Sequence, residues 1–386
     1  MKIYFIGQKG IPAINGGVER YVDDLSVHLA KQGHEVFVYV RKNYANKRLK
    51  KYAGVNLLPL SSINTKHLDT ISYTFLAILD VLKRKADIVH FQSIGPSSLL
   101  WILKIFKRNT SIISTFHSQC YYHQKWGFVA RWCLRTGEFI LCTLSDAILV
   151  PSSVLQHYTA RRYGREPIHI SNSVNIYDLL PARRIKKWGL KKDNYIVAVS
   201  RLVKHKGLQY LIESYQKLDT DKKLVIVGDG AFTDDYVKEL HQLAGNNKNI
   251  IFTGQVYGPI LTELYSNACL FVQPSESEGL SIALLEAMSY GLPVLVSDIA
   301  ENTEAVDKAG FIFKNKNVID LTNKLKYILN NPKTSKYKGQ RALERVSQYY
   351  NWEIVVYKVL DVYKEVVFNK QRKYFTKQLM QNTYLK

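Results

Sequence analysis

Residues 269–272 form a short apolar run that Pro274 cuts off, and after the polar stretch Ser275-Glu-Ser-Glu278-Gly-Leu-Ser281 the chain turns apolar again over residues 282–290. The first run has the length of a strand. The second reads as a buried helix with Ser281 as its N-cap, since a serine hydroxyl there accepts one of the amides that a helix start leaves unpaired. Gly291 stands where a helix C′ glycine belongs and Pro293 prevents continuation, so residues 294–296 begin the next strand. Strand, loop, helix, strand is the repeating unit of a parallel α/β sheet. It leaves the amides of Gly279, Leu280 and Ser281 pointing out of a helix N-terminus at the carboxyl end of a strand, where a diphosphate is well held and Gly279 lets the backbone come close.

Glu278 and Glu286 flank this anion site. A carboxylate near a phosphate is repelled unless it bonds something neutral, and sugar hydroxyls are neutral donors that fit. A diphosphate with a polyol at each end describes a nucleotide sugar. Glu, seven residues, Glu in this setting resembles the signature of the family-4 retaining glycosyltransferases of the GT-B fold, of the bacterial polysaccharide and glycoconjugate type. The resemblance implies that Glu278 contacts the transferred sugar and Glu286 the ribose hydroxyls. The plainer reading is a solvated loop residue and a helix-surface charge, against which the apolar and small neighbours of Glu286 argue. The architecture implied is α/β, two Rossmann-like doubly wound parallel-sheet domains facing a cleft, with a C-terminal helix crossing back to the first domain.

The rest of the chain fits that frame. Residues 3–6 read as a buried strand, followed by a loop ending in Gly16-Gly17 and a helix with Val18, Tyr21, Val22, Leu25 and Leu29 at helical spacing. Gly16 and Gly17 thus lie at a second helix N-terminus where backbone can approach a phosphate or sugar, and the spacing is not the GxGxxG of a dinucleotide site. Further strands are expected at 36–40, 55–58, 87–91, 111–116, 147–150 and 167–170, alternating with helices. His117 falls at one strand end; the matching histidine of many family members contacts the donor sugar, while the structural alternative is a histidine in a strand-end turn. The loop onward to Gly127, with three rings and Lys125, reads as acceptor-side surface, and His123 as a surface residue. Asn172-Ser-Val-Asn175 stands where relatives have Asn-Gly-Val.

A second strand series starts at 195–200, and Arg201 and Lys206 in the turn behind it can neutralise a diphosphate; they match the family's basic pair. Gly228, in Gly-Asp-Gly after the strand 224–227, and Val256, after the strand 250–253, complete the nucleotide side in the resemblance. Asp219-Thr-Asp221 imitates the metal-binding DxD of another glycosyltransferase fold, but it precedes a strand rather than following one, so it reads as a surface turn and neither metal nor cofactor is expected. The donor site is therefore expected to comprise Gly16, Gly17, Arg201, Lys206, Gly228, Val256, Glu278, Gly279, Leu280, Ser281 and Glu286, with Glu278, His117, Arg201 and Lys206 catalytic. Boundaries follow as 1–178 for an acceptor-side domain, 179–192 for a basic linker, 193–350 for the nucleotide-sugar domain and 351–386 for a crossing helix and basic tail.

Composition bounds the partners. At 386 residues, 46% hydrophobic, the chain suits two globular domains, and its four cysteines form no metal-ligand spacing. No apolar run reaches spanning length and the first strand leaves no room for a signal peptide, so a cytoplasmic protein is expected. The net charge of +22 divides as +12 over residues 1–178, +6 over 179–192, −4 over 193–332 and +8 over 333–386. The donor domain is slightly acidic, so the excess is not there for nucleotide. A glycan or polyprenyl-linked acceptor and peripheral, salt-sensitive binding to the anionic inner face of the plasma membrane account for it, with residues 99–108 either dipping into the interface or forming a core helix. Rival readings are a sugar-nucleotide 2-epimerase of the same architecture, a phosphorylase needing a pyridoxal lysine, and a basic nucleic-acid-binding protein, which explains the charge but not the motifs.

Overall fold

The computed structural model of the chain describes residues 1–14, 16–44, 49–65, 68–122, 127–230 and 233–383, with side chains for all of these except 122 and 374–383. Two compact units result, Met1–Ser171 together with Trp352–Lys386, and Asn172–Asn351.

The first unit holds β1 (Lys2–Ile6), β2 (Glu35–Arg41), β3 (Lys51–Tyr52), β4 (Val55–Leu60), β5 (Ile88–Gln92), β6 (Ser111–Thr115), β7 (Ala147–Val150) and β8 (Ile168–His169). They lie in the order β3-β4-β2-β1-β5-β6-β7-β8, parallel throughout except for β3, which runs antiparallel on the edge. β5, β6 and β7 are buried at every residue, which explains their continuous apolar runs: helices cover both faces, so no solvent side remains to alternate with. β3 was not expected; its two residues carry no alternation and are paired only because the Ala53-Gly54 turn folds them onto β4.

The second unit holds β9 (Tyr195–Val199), β10 (Lys223–Val227), β11 (Ile250–Gly254), β12 (Leu270–Gln273), β13 (Val294–Ser297) and β14 (Phe311–Phe313), all parallel, in the order β11-β10-β9-β12-β13-β14. Ile196, Ala198, Leu224, Ile226, Leu270 and Leu295 enter one buried cluster with Leu208, Leu211 and Ile212 of the helix Leu208–Tyr215. Strand order reverses between β1 and β5 in the first sheet and between β9 and β12 in the second. At such a switch the loops leaving two neighbouring strands go to opposite faces and open a crevice at the carboxyl ends.

The six basic residues of the stretch 179–192 are exposed, as their charge suggested, but the stretch lies within the second unit and does not connect the two. Buried Glu263 accepts the amides of Arg183 and Arg184 at 2.9 and 2.6 Å and the Arg184 guanidinium at 2.7 Å, and Ile185 and Leu190 are buried. One interior carboxylate thus ties the segment into the second unit, and the division falls at residues 171 and 172 rather than after 178. The final helix Trp352–Thr383 belongs with the first unit, as the crossing-helix reading requires. Trp352 stacks on His28, the Tyr363 hydroxyl lies 2.6 Å from His90 Nδ1, and Lys370 Nζ reaches Thr110 O and Asp146 Oδ2 at 2.8 Å each.

Candidate active site

At the β9/β12 switch of the second unit two loops close on each other. The amide of Glu276 donates to His205 O at 2.8 Å, and Gly207, at φ +69°, has no room for a Cβ, which would stand 1.9 Å from Pro274 O. That approach carries Lys206 onto Glu278: Nζ to Oε1 is 2.5 Å, with the two side chains only 14% and 9% exposed. Arg201, leaving the same strand, is exposed and has no carboxylate partner among the described residues. A paired cation and carboxylate and an exposed guanidinium therefore stand at one strand-end crevice.

Behind the crevice runs a buried polar chain. Ser281 caps the helix Ile282–Ser289, accepting from Leu284 N at 3.3 Å, and donates its own hydroxyl to Gln273 Oε1 at 2.6 Å. Gln273 Nε2 donates to Asn302 Oδ1 at 2.7 Å, Asn302 Nδ2 to Ser297 Oγ at 3.0 Å, and Ser297 Oγ to Ser275 O at 2.5 Å. Asn172 closes the other side by donating to Leu280 O at 2.7 Å. The Ser281 side chain is thus tied to the ends of β12 and β13 and the Leu280 carbonyl to Asn172, which fixes the start of a helix whose amides can face an anion. Gln273, Asn302 and Asn172 were not singled out for this; a polar residue ending a buried strand was the one available signal. In the Asn172-Ser-Val motif, Ser173 puts its hydroxyl on Tyr350 O at 2.6 Å, a bond a glycine could not make.

Glu286 is half-buried on the outer turn of that helix and accepts the Tyr265 hydroxyl at 3.3 Å. Tyr265, Tyr290 and Tyr177 stack in sequence with ring centroids 5.3 Å apart at each step, walling one side. At Gly228 the φ is +136° and a Cβ would meet Ser200 O at 1.9 Å, so the missing side chain lets the turns after β9 and β10 pack together. Val256 is half-buried in the turn after β11. Asp219 and Asp221 lie before β10, at the end of the strands remote from these loops. Among the described residues no group of three His, Cys, Asp or Glu side chains could hold a metal ion.

In the first unit His117 sits just past β6, buried, with Nε2 2.8 Å from Gln92 Oε1 and the Tyr21 ring edge-on at 5.3 Å. Burial pushes its pKa down to about 3, so the ring is neutral; with Gln92 accepting, Nε2 carries the proton and Nδ1 presents a lone pair that a hydroxyl can use. Gly16, at φ +95°, precedes the helix Gly17–Lys31, and a Cβ there would fall 2.0 Å from Glu19 Oε2. Glu19 in turn accepts the Lys9 amide at 3.0 Å and Asp23 that of Ala13 at 2.7 Å, so buried acids of the helix shape the glycine loop above it. Gly17 is exposed at the helix start. Tyr121 is core, hydrogen-bonded to Gln119, and not the acceptor-side surface expected; His123, Lys125 and Trp126 lie outside the described residues.

Two family profiles match in tandem, Glycosyltransferase Family 4 over residues 15–176 and Glycosyl transferases group 1 over residues 182–345. The sulfoquinovosyl transferase SQD2 of Arabidopsis thaliana is 27% identical over 73% of this chain, which spans 57% of that protein's length. Sucrose-phosphate synthase from Thermosynechococcus elongatus superposes with a TM-score of 0.82 at 21% identity, covering 95% of this chain and 98% of its own. HepE of Anabaena, solved with UDP-glucose, superposes at 0.80 and 19% identity over 95% of this chain and 100% of its own. With one profile on each unit and the whole fold shared, the chain belongs to the glycosyltransferases of the family-4 type with the GT-B fold.

Proposed function

We propose that the protein transfers a sugar from a nucleoside-diphosphate sugar, with retention of configuration, to a glycan or lipid-linked acceptor in cell-surface polysaccharide synthesis. The observation that carries this reading is the β9/β12 crevice, where the Ser281-capped helix start, the Lys206–Glu278 pair and Arg201 all leave the carboxyl ends of two neighbouring strands. HepE, which shares the fold, is named in complex with UDP-glucose. In this reading Arg201, Lys206 and the amides stabilise the departing diphosphate as its charge develops, the main catalytic contribution when the leaving group is an anion. Glu278 and His117 orient the sugar, Glu286 binds the ribose, and Gly16, Gly17, Gly228 and Val256 border the donor. Retention with no carboxylate assigned as nucleophile means that the leaving phosphate itself takes the acceptor proton.

The protein is proposed to act in the cytoplasm, peripheral on the inner face of an anionic membrane, without metal or cofactor. Among the described residues no helix is long and apolar enough to cross a membrane. A thermal-shift panel of UDP-, GDP- and ADP-sugars, followed by NMR of the product's anomeric centre, tests the reading. One donor is expected to stabilise the chain well above the others and to give a product of unchanged configuration. Epimerised donor in the absence of any acceptor would replace this reading with the epimerase.

A further inference from the structure

Exposed apolar side chains are concentrated on one side of the first unit. On the helix Phe128–Leu144, Phe128, Val129 and Trp132 are 86%, 72% and 64% exposed. The helix Trp101–Phe106 adds Trp101, Ile105 and Phe106, and the helix Leu68–Leu82 adds Ile71, Phe75 and Leu79. These helices are neighbours: Tyr73, Ala77 and Ile78 share a buried cluster with Leu100 and Leu103, and Ile140 packs against it. A Cβ on Gly95 would stand 3.7 Å from Thr70 Cγ2 and 3.9 Å from Leu134 Cδ2, so the turn at Ile94–Ser97 touches both outer helices. Each helix gives one apolar face to the core and a second to the outside, and an apolar patch of this extent marks an interaction site.

Its charge has one sign. Arg131 and Arg135 alternate with Phe128, Trp132 and Phe139 at helical spacing, and Arg108 follows Phe106. The acids of these helices are occupied or buried: Asp69 by Arg41, Asp80 by Arg84, and Glu138 inside, accepting the Tyr158 and Tyr163 hydroxyls. A second copy laid on this face about a two-fold axis would set arginine against arginine. An anionic leaflet supplies the opposite charge and takes tryptophan and phenylalanine at its boundary.

We propose that this three-helix face docks the protein on an anionic lipid bilayer, with Phe106, Phe128 and Trp132 entering the headgroup boundary and Arg108 and Arg131 pairing with lipid phosphates. It rests on the membrane location proposed above and narrows it from residues 1–178 and the tail to three helices. Lysines of the stretch 99–108 and of the final helix are engaged within the unit: Lys104 Nζ is 2.5 Å from Asp146 Oδ1, Lys107 Nζ binds Leu82 O and Arg84 O, and Lys370 joins Asp146.

Flotation of the full chain on phosphatidylglycerol and on phosphatidylcholine vesicles, at low and high salt, tests the proposal. The wild type is expected to float with the anionic vesicles alone and to release with salt. F128S/W132S and, separately, R108E/R131E are expected to lower the bound fraction about tenfold with unchanged melting temperature and unchanged donor binding by thermal shift. If F128S/W132S does not fold, I105S/F106S on the neighbouring helix serves in its place. Wild type that stays in solution, variants that float like wild type, or a dimer that the serine variant breaks would each overturn it. Donor binding is read in the same samples, so a failure there bears on the functional reading and leaves the docking result standing.

Discussion

Lys206 and Glu278 neutralise each other in this structure, so each is held in place by the other at nearly full burial. Removing one leaves a nearly buried, unpaired charge, while removing both leaves none. Glu278→Ala and Lys206→Ala are each expected to lower stability in urea by about 2 kcal/mol, with the double variant losing clearly less than their sum. Additive losses would mean that the pair is a solvated contact. If the proposed roles hold, the two glutamates separate on activity: Glu278→Ala is expected to lower kcat, as a contact to the reacting sugar would, and Glu286→Ala to raise the donor KM, as a ribose contact that is the same before and during reaction would. Turnover is further expected to survive EDTA, since in the proposed reading Arg201, Lys206 and a helix start face the diphosphate; strict dependence on magnesium or manganese would send attention back to Asp219 and Asp221. That Arg201, Lys206 and Glu278 stand in loops leaving strand ends, and Glu286 on the helix that follows, was legible in the sequence because these are local properties. That Lys206 would pair with Glu278, seventy-two positions away, was not.

At the scale of elements, the turn after β9 and the loop after β12 function as one piece because Gly207 lets their backbones touch. Gly207→Ala adds a methyl 1.9 Å from Pro274 O at a positive φ, so the loops must part. The expected outcome is a loss of at least about 2 kcal/mol in stability together with weaker donor binding, read by calorimetric titration; an alanine variant that binds donor normally would uncouple the two loops. Strand and helix positions were readable nearly throughout because burial on both faces writes continuous apolar runs, and caps such as Ser281 and Gly291 mark the ends. What composition misread was the stretch 179–192. Six cations and no acid look like a connector between domains; the cations are indeed exposed, but Glu263, on a different helix, holds the amides of Arg183 and Arg184 and ties the segment to the second unit.

For the whole molecule, the final helix is pinned to the first unit through a histidine. His90 is buried between Tyr363 and Thr115, at 2.6 and 2.7 Å, and burial lowers its pKa to about 3, as it does for His117. The unfolded chain protonates these rings near pH 6.5, so between that value and about 3 it binds more protons than the folded chain. Stability therefore falls as the pH drops below 6.5, by at most about 1.4 kcal/mol per pH unit for each ring. Urea midpoints at pH 7 and pH 5 are expected to show this decline, and His90→Gln to make it shallower; an unchanged slope would remove His90 from the account. The sequence by itself determined two parallel α/β units, the Ser281-capped helix and the loop before it, because hydrophobic period, caps and strand-end motifs depend on neighbours a few positions away. Tertiary structure alone decided which charges are spent on each other, which polar side chains stand behind the loop, and which apolar helix faces stay outside. Those outcomes depend on contacts between residues far apart in the chain, such as Asn172 with Leu280 or His90 with Tyr363, and no local pattern records them.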